Sequence, residues 1–323
     1  MKLAALLAGF VLAAVAYAGQ TAPKELFYYY DLGDWQRVIA EYRAHTADYA
    51  STGALSRVAE AYYYSGDLDA AEETALRPQL RGNADAAVVV ALVKAGKGDR
   101  AGAMRDLDAM KPQGREAARV YMAMGIVNFY GNGSAALPYF EKAVAADPDY
   151  GRGWFYMGLV CEIQERFEDA SKAYGRAVQA APLYAQAQNN LGYSFKERHF
   201  YQYAVEHYLR AIELIPDNAG YYYNLGNAYT HQEKIDEAFL AYKKALELDP
   251  TFAKAHYNMA RTYLRKDMVK EAIAEFRLYL KDGSPAVFDF VASMDSVEGE
   301  IEQLEAYLRN NPPVKPPAGK ITR

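Results

Sequence analysis

The chain is poor in the residues that usually carry chemistry. Its 323 residues include one cysteine, Cys161, and five histidines, His45, His199, His207, His231 and His256. A single cysteine excludes an internal disulfide. No two histidines stand at the i, i+3 or i, i+4 separation that pairs them on one helix face, so a zinc-type ligand set is not expected. A phosphate-cradling glycine loop, a His-Glu-x-x-His motif and a nucleophile elbow are all missing. Positive charge is not in excess either. The formal net charge is −5, which recommends no nucleic-acid backbone as a partner. Acidic residues are plentiful, but Glu165, Glu168, Asp169, Glu233, Asp236 and Glu237 fall on outward faces and read as solvated surface. The expectation is a chain that is not an enzyme and takes no cofactor, metal or nucleic acid.

Long apolar runs are confined to the beginning. Lys2, the stretch Leu3–Val15 and the small-x-small triplet Ala16-Tyr17-Ala18 have the layout of a secretory signal, with cleavage expected after Ala18. An uncleaved N-terminal anchor is the alternative. No later run is long enough to cross a bilayer, so no transmembrane segment is expected in the mature chain. Export to a bacterial periplasm fits a large chain without disulfides, and an extracellular location is the second choice.

What the chain does have is a period. Pro148, Pro182, Pro216 and Pro250 stand 34 residues apart, and Phe140, Tyr174, Tyr208, Tyr242 and Ala143, Ala177, Ala211, Ala245 keep the same spacing. A fixed period of this length means stacked supersecondary units rather than a closed core. Within Gly151–Tyr184, Trp154, Met157, Gly158 and Cys161 mark one face of a first helix, and Ala170, Tyr174 and Ala177 mark the inner face of a second. Pro182 ends the unit because it cannot donate to a continuing helix. Gly158, Gly192 and Gly226 recur inside first helices, where glycine costs about 1 kcal/mol against alanine. They suggest a place where the neighbouring helix comes too close for a side chain. Cys161 shares its register with Phe195, Tyr229 and Tyr263 and reads as a packing residue, with a reactive thiol as the alternative.

These residues resemble the tetratricopeptide repeat family, whose consensus has an aromatic, Leu-Gly, Tyr, Ala, an aromatic, Ala and Pro at these spacings. The resemblance implies an all-α fold, a right-handed superhelical solenoid of antiparallel helix pairs. The match is full over 151–252 and weaker around it. Residues 117–286 are expected to hold the regular repeats and residues 19–116 degenerate ones, marked by the turns Gly33-Asp34, Gly66-Asp67 and Gly98-Asp99. Beyond Pro285, Val297, Ile301, Leu304 and Leu308 line one side of an amphipathic helix, expected within 287–311 to cap the last apolar face. Residues 312–323, rich in proline, are expected to form an extended tail.

Function then falls to the first helices, which line the concave surface in this family. Arg152, Tyr156, Tyr193, Tyr223, Asn227, Lys254, Tyr257, Arg261 and Arg265 take such positions, and Asn190, Asn224 and Asn258 repeat at the sixth position of consecutive units. An asparagine amide matches what a peptide unit presents. The row looks like the asparagine ladder of O-linked N-acetylglucosamine transferases, which engages peptide backbones; nothing here implies sugar transfer. A structural role, bridging neighbouring helices, is the other interpretation. The family's carboxylate clamp is incomplete, since Phe155, Asn189 and Tyr223 replace its first lysine, although Lys254, Arg261 and Arg265 favour an acidic ligand. The expected function is a non-catalytic periplasmic scaffold or adaptor binding an extended peptide segment of an envelope protein. The alternatives are an accessory subunit of a secretion, pilus, cell-wall or respiratory complex, docked through the convex face or terminal helix, and, remotely, an enzyme. Self-association through the end repeats is a further expectation.

Overall fold

Helices alone build the protein in a computed structural model that describes residues 23–129 and 133–311. The proposed signal segment and the proline-rich tail lie outside the described residues. Sixteen of eighteen described α-helices form eight consecutive antiparallel pairs. They are α1 (Pro23–Leu32) with α2 (Trp35–Ala44), α3 (Thr52–Tyr64) with α4 (Leu68–Ala75), and α5 (Ala84–Gly96) with α6 (Arg100–Ala109). Next come α7 (Ala117–Phe129) with α8 (Gly133–Ala146), α9 (Gly151–Ile163) with α10 (Phe167–Ala180), and α11 (Ala185–Glu197) with α12 (Tyr201–Leu214). The last pairs are α13 (Ala219–His231) with α14 (Ile235–Leu248) and α15 (Ala253–Arg265) with α16 (Val269–Asp282). A short α17 (Pro285–Phe290) and a longer α18 (Met294–Asn310) follow. Two compact units divide the chain, Met1–Pro216 and Asp217–Arg323.

Second-helix length differs between the early and the later pairs. Second helices α2, α4 and α6 have 10, 8 and 10 residues, whereas α8, α10, α12, α14 and α16 have 14 each. The hairpin turn is common to both kinds. Its closing residue takes positive φ: Gly33, Gly66 and Gly98 in the early pairs, and Glu165, His199, Glu233 and Asp267 in the later ones. In each, the following N–H reaches the carbonyl five residues back, as Asp34 N to Tyr29 O (3.0 Å) and Lys234 N to Tyr229 O (3.0 Å). This is a Schellman end, for which glycine is the cheap residue. In the early pairs an aspartate follows and caps the next helix, Asp34 accepting from Arg37 N and Asp67 from Ala70 N at 3.1 Å.

The helix-interior glycines hold the pairs together. A Cβ on Gly158 would lie 2.5 Å from the Tyr174 ring, on Gly192 2.9 Å from Tyr208, and on Gly226 2.5 Å from Tyr242. The second helix therefore lays its aromatic ring where a first-helix side chain would be. Phe140, Tyr174, Tyr208, Tyr242 and Phe276 are all buried by this arrangement. Cys161 is buried too, and burial pushes its thiol up.

Tyr279 replaces the second alanine in the last pair, and its hydroxyl donates to Ala292 O at 2.6 Å. The larger side chain fills space that no further hairpin occupies and fastens the segment leading into α18. There Val297 and Ile301 are buried against Ile273, Phe276 and Tyr279, with Leu304 and Leu308 half-buried beside them. Arg261 to Glu300 and Arg277 to Glu305, each 2.6 Å, pin the exposed side of α18. No described helix is long and apolar enough to cross a membrane.

Candidate functional site

Each unit of the chain presents its own set of first-helix residues. In the unit after Pro216, α13 carries Tyr223, Asn224 and Asn227, and α15 carries Lys254, Tyr257, Asn258, Arg261 and Arg265. Tyr223 is half-buried against Phe252, with ring centroids 5.0 Å apart, and Tyr257 against Tyr279 at 5.3 Å. Asn258 donates to Asn227 Oδ1 at 2.7 Å, and the Tyr242 hydroxyl donates to the same oxygen at 2.8 Å. The Thr230 hydroxyl lies 3.0 Å from that of Tyr242. This network adjoins a recess of about 240 Å³ lined by Thr230, Tyr242, Asn258, Arg261, Thr262, Arg265 and one apolar residue, Leu264. Arg261 is committed to Glu300, whereas Arg265 is exposed and has no ion pair among the described residues. Asn224 and Lys254 are half-buried on the same helices. The recess is polar, hydrogen-bonding and positively rimmed, so it suits a peptide backbone or a carboxylate.

In the unit before Asp217 the expected groove residues behave differently. Tyr156 is only 8% exposed, stacked on Phe140 with centroids 5.3 Å apart and edge-on to Phe155. Here expectation is corrected: Tyr156 is a core ring, because the second-helix ring beside it, Phe140, has no hydroxyl to hold a polar side chain and the two rings stack instead. Asn190 is half-buried, donates to the Tyr174 hydroxyl at 3.3 Å and accepts from Asn189 at 3.0 Å. Tyr174 in turn donates to Glu162 at 2.7 Å. Tyr193 keeps a half-exposed ring with the Lys196 ammonium 4.6 Å from its centroid, and burial pushes its phenol up to about 12. Arg152 is not open to solvent. Its guanidinium pairs with Glu60 and donates to the Tyr30 hydroxyl at 2.8 Å, residues 92 and 122 positions away. Periodicity gave no sign of this contact, because α1 and α3 lie outside the regular repeats.

Paired helices with a ring-over-glycine lock and an open first-helix face define a helical-hairpin repeat protein built for binding. Its residues 131–185 and 201–267 are tetratricopeptide repeats. Family models described as TPR repeat match residues 201–232 and 226–267, and one described as tetratricopeptide repeat matches residues 131–185. No curated protein matches the chain. Among solved structures, PilF of Pseudomonas aeruginosa is 20% identical with a TM-score of 0.50, covering 62% of this chain and 94% of its own. MamA of Desulfovibrio magneticus RS-1 is 22% identical, TM-score 0.48, covering 51% and 94%. YrrB, described as a TPR protein with an unusual peptide-binding site, is 20% identical, TM-score 0.47, covering 57% and 92%. At such identities the likeness speaks for the fold alone.

Proposed function

We propose that this chain is a non-catalytic exported scaffold that holds an extended segment of an envelope protein against the first helices α13 and α15. The recess between Thr230, Asn258 and Arg265 carries the proposal. It joins amide and hydroxyl donors and acceptors to a cation, Arg265, with no ion pair among the described residues. Half-buried Tyr223 has its ring centroid 6.2 Å from that of Tyr242 in the lining, and amphipathic rings of this kind are common in binding hot spots. Export, with the periplasm as destination, is supported by Lys2, Leu3–Val15 and Ala16-Tyr17-Ala18; the mature chain should then begin at Gly19, which N-terminal sequencing reads directly.

A photo-crosslinking residue at Thr230, compared with one at exposed Leu240 on α14 and one at exposed Tyr307 on α18, tests the site in the producing cell. The expected result is one partner segment captured at position 230, lost when Arg265→Glu is added. Capture at 240 or 307 but not at 230 would move the function to the second reading, docking of a larger complex through the convex face or terminal helix. That reading has an observation of its own: Tyr307 is 54% exposed on the helix that caps the array.

A further inference from the structure

The first two hairpins gather four side chains around one cation. The Arg152 guanidinium lies 4.3 Å from the ring centroid of Tyr30, 4.8 Å from Trp35 and 5.7 Å from Tyr64. Trp35 and Tyr64 stack on each other at 4.9 Å, and Tyr30 stands edge-on to Trp35 at 5.7 Å. Glu60 closes the set, accepting from both Arg152 and the Tyr30 hydroxyl. Three rings and a carboxylate around a charge form a cation cage, and a flat, weakly hydrated guanidinium suits it better than an ammonium. Only 12% of the Arg152 side chain and 13% of Glu60 reach solvent.

Nothing in the repeat requires arginine here. The equivalent positions of the following units hold Gln186, Gly220 and Lys254. Nor does Arg152 exhaust the cage: the Tyr64 hydroxyl is buried with no hydrogen-bond partner among the described residues. We propose that α1–α4 carry a binding site for an arginine side chain, filled in cis by Arg152, and that an arginine presented by a partner protein competes for it. While the site is filled in cis, Arg152 ties the beginning of α9 to α1–α3, and a Cβ added at Gly33 would lie 2.7 Å from the Tyr184 ring. Exchange of Arg152 for a partner's arginine releases that tie. The proposal stands on the first unit alone and is independent of the recess around Arg265.

Chemical rescue tests it in the full chain. In Arg152→Ala, amide exchange in α1–α4 should accelerate about a hundredfold relative to wild type, the cost of stripping one member from a buried pair. Millimolar ethylguanidinium, or a blocked Ala-Arg-Ala peptide, should recover at least about tenfold of that protection. Equimolar ethylammonium, Ala-Lys-Ala and sodium chloride should recover none. In wild type, a large excess of Ala-Arg-Ala but not of Ala-Lys-Ala should displace Arg152 and speed exchange at the start of α9; no response at any concentration overturns the competition. Equal protection by ethylammonium, or no protection of a folded Arg152→Ala by any guanidinium, overturns the site. Should Arg152→Ala not fold, Arg152→Lys decides. Exchange about tenfold faster in α1–α4, with α11 and α12 unchanged, supports a cage selective for guanidinium. Unchanged exchange in α1–α4 refutes it.

Discussion

Tyr174, Tyr208 and Tyr242 occupy one register 34 residues apart and are all fully buried, yet their hydroxyls differ. Tyr174 donates to the Glu162 carboxylate at 2.7 Å and accepts from Asn190. Tyr242 donates to the Asn227 amide oxygen at 2.8 Å. The Tyr208 hydroxyl is buried without a partner among the described residues. Removing a hydroxyl bonded to a charged group costs about 1.5–3 kcal/mol, and a neutral bond about 0.5–1.5 kcal/mol. An unpartnered buried hydroxyl carries a desolvation penalty and no compensating bond, so its removal is neutral or stabilises by about 1 kcal/mol. Phenylalanine is sterically acceptable, because Phe140 and Phe276 already fill this register at 0% exposure. The expected order of stability is therefore Tyr208→Phe at or above wild type, then Tyr242→Phe, then Tyr174→Phe lowest.

Repeat arrays unfold piecewise. The assay should therefore combine urea midpoints with hydrogen exchange read separately over α9–α12 and α13–α16. An Asn190→Ala and Tyr174→Phe double-mutant cycle isolates the ladder contribution, with a coupling of about 0.5–1 kcal/mol expected for one neutral bond. A Tyr208→Phe variant less stable than wild type by more than about 1 kcal/mol would refute the reasoning, since nothing else in the register distinguishes it.

Three further outcomes follow from the same structure. Gly158→Ala should destabilise by about 1–2 kcal/mol net of helix propensity, because the new Cβ meets the Tyr174 ring, whereas Gly175→Ala, with nothing within 4 Å of the added Cβ, should stabilise by about 0.5–1 kcal/mol in thermal or urea unfolding. Transplanting the early turn as Glu233→Gly with Lys234→Asp should gain about 1–2 kcal/mol, since Glu233 sits at φ +59 and the helix after it has no side-chain cap; a loss would show that the later turns depend on other contacts. His256 is buried with Nδ1 2.6 Å from Glu275 and Nε2 3.0 Å from Pro250 O. Burial alone would lower its pKa, but these two acceptors more than offset that and hold it above 6.5. Its contribution is thus complete below that value and lost as pH rises through the folded pKa, and Glu275→Gln should flatten this dependence in exchange rates over α15–α16. His207 runs the other way: burial lowers its pKa, so stability of α11–α12 falls as pH drops below 6.5.

The later repeats are legible because burial enforces period. Every hairpin must lay an aromatic ring over a small residue, so Gly158, Gly192 and Gly226 and their rings cannot drift without leaving a gap or a clash. The early repeats lose that period and retain local chemistry instead, with Gly33-Asp34, Gly66-Asp67 and Gly98-Asp99 supplying both the left-handed turn and the next cap. The later turns dispense with both, placing Glu165, His199 and Glu233 at positive φ. Strong packing tolerates a poor turn, and strong turns support short helices. Surface function was less legible. Helical spacing put Arg152 and Tyr156 on the first-helix face, but spacing says nothing about what lies opposite that face. For Tyr156 it is the Phe140 ring, and for Arg152 it is a hairpin from another part of the sequence.

The asparagine row shows why the two interpretations of it need not compete. Asn190 and Asn258 each use one donor inside the array, on Tyr174 and on Asn227. An amide has two N–H donors and an oxygen acceptor, so even Asn190, which also accepts from Asn189, is oriented without being exhausted. Holding an amide at a fixed angle lowers the rotamer entropy lost when a ligand backbone binds, which is how preorganised sites gain affinity. The Tyr174 hydroxyl is itself fixed by Glu162, and the Tyr242 hydroxyl by Asn227, so in these two hairpins the buried aromatic that locks the pair also holds an asparagine beside it. Structural and recognition roles then fall on the same asparagine side chains. In the second unit this arrangement is followed by Arg265, an exposed cation without an ion pair among the described residues, and there the row changes from a brace between helices into a surface with a charge to offer.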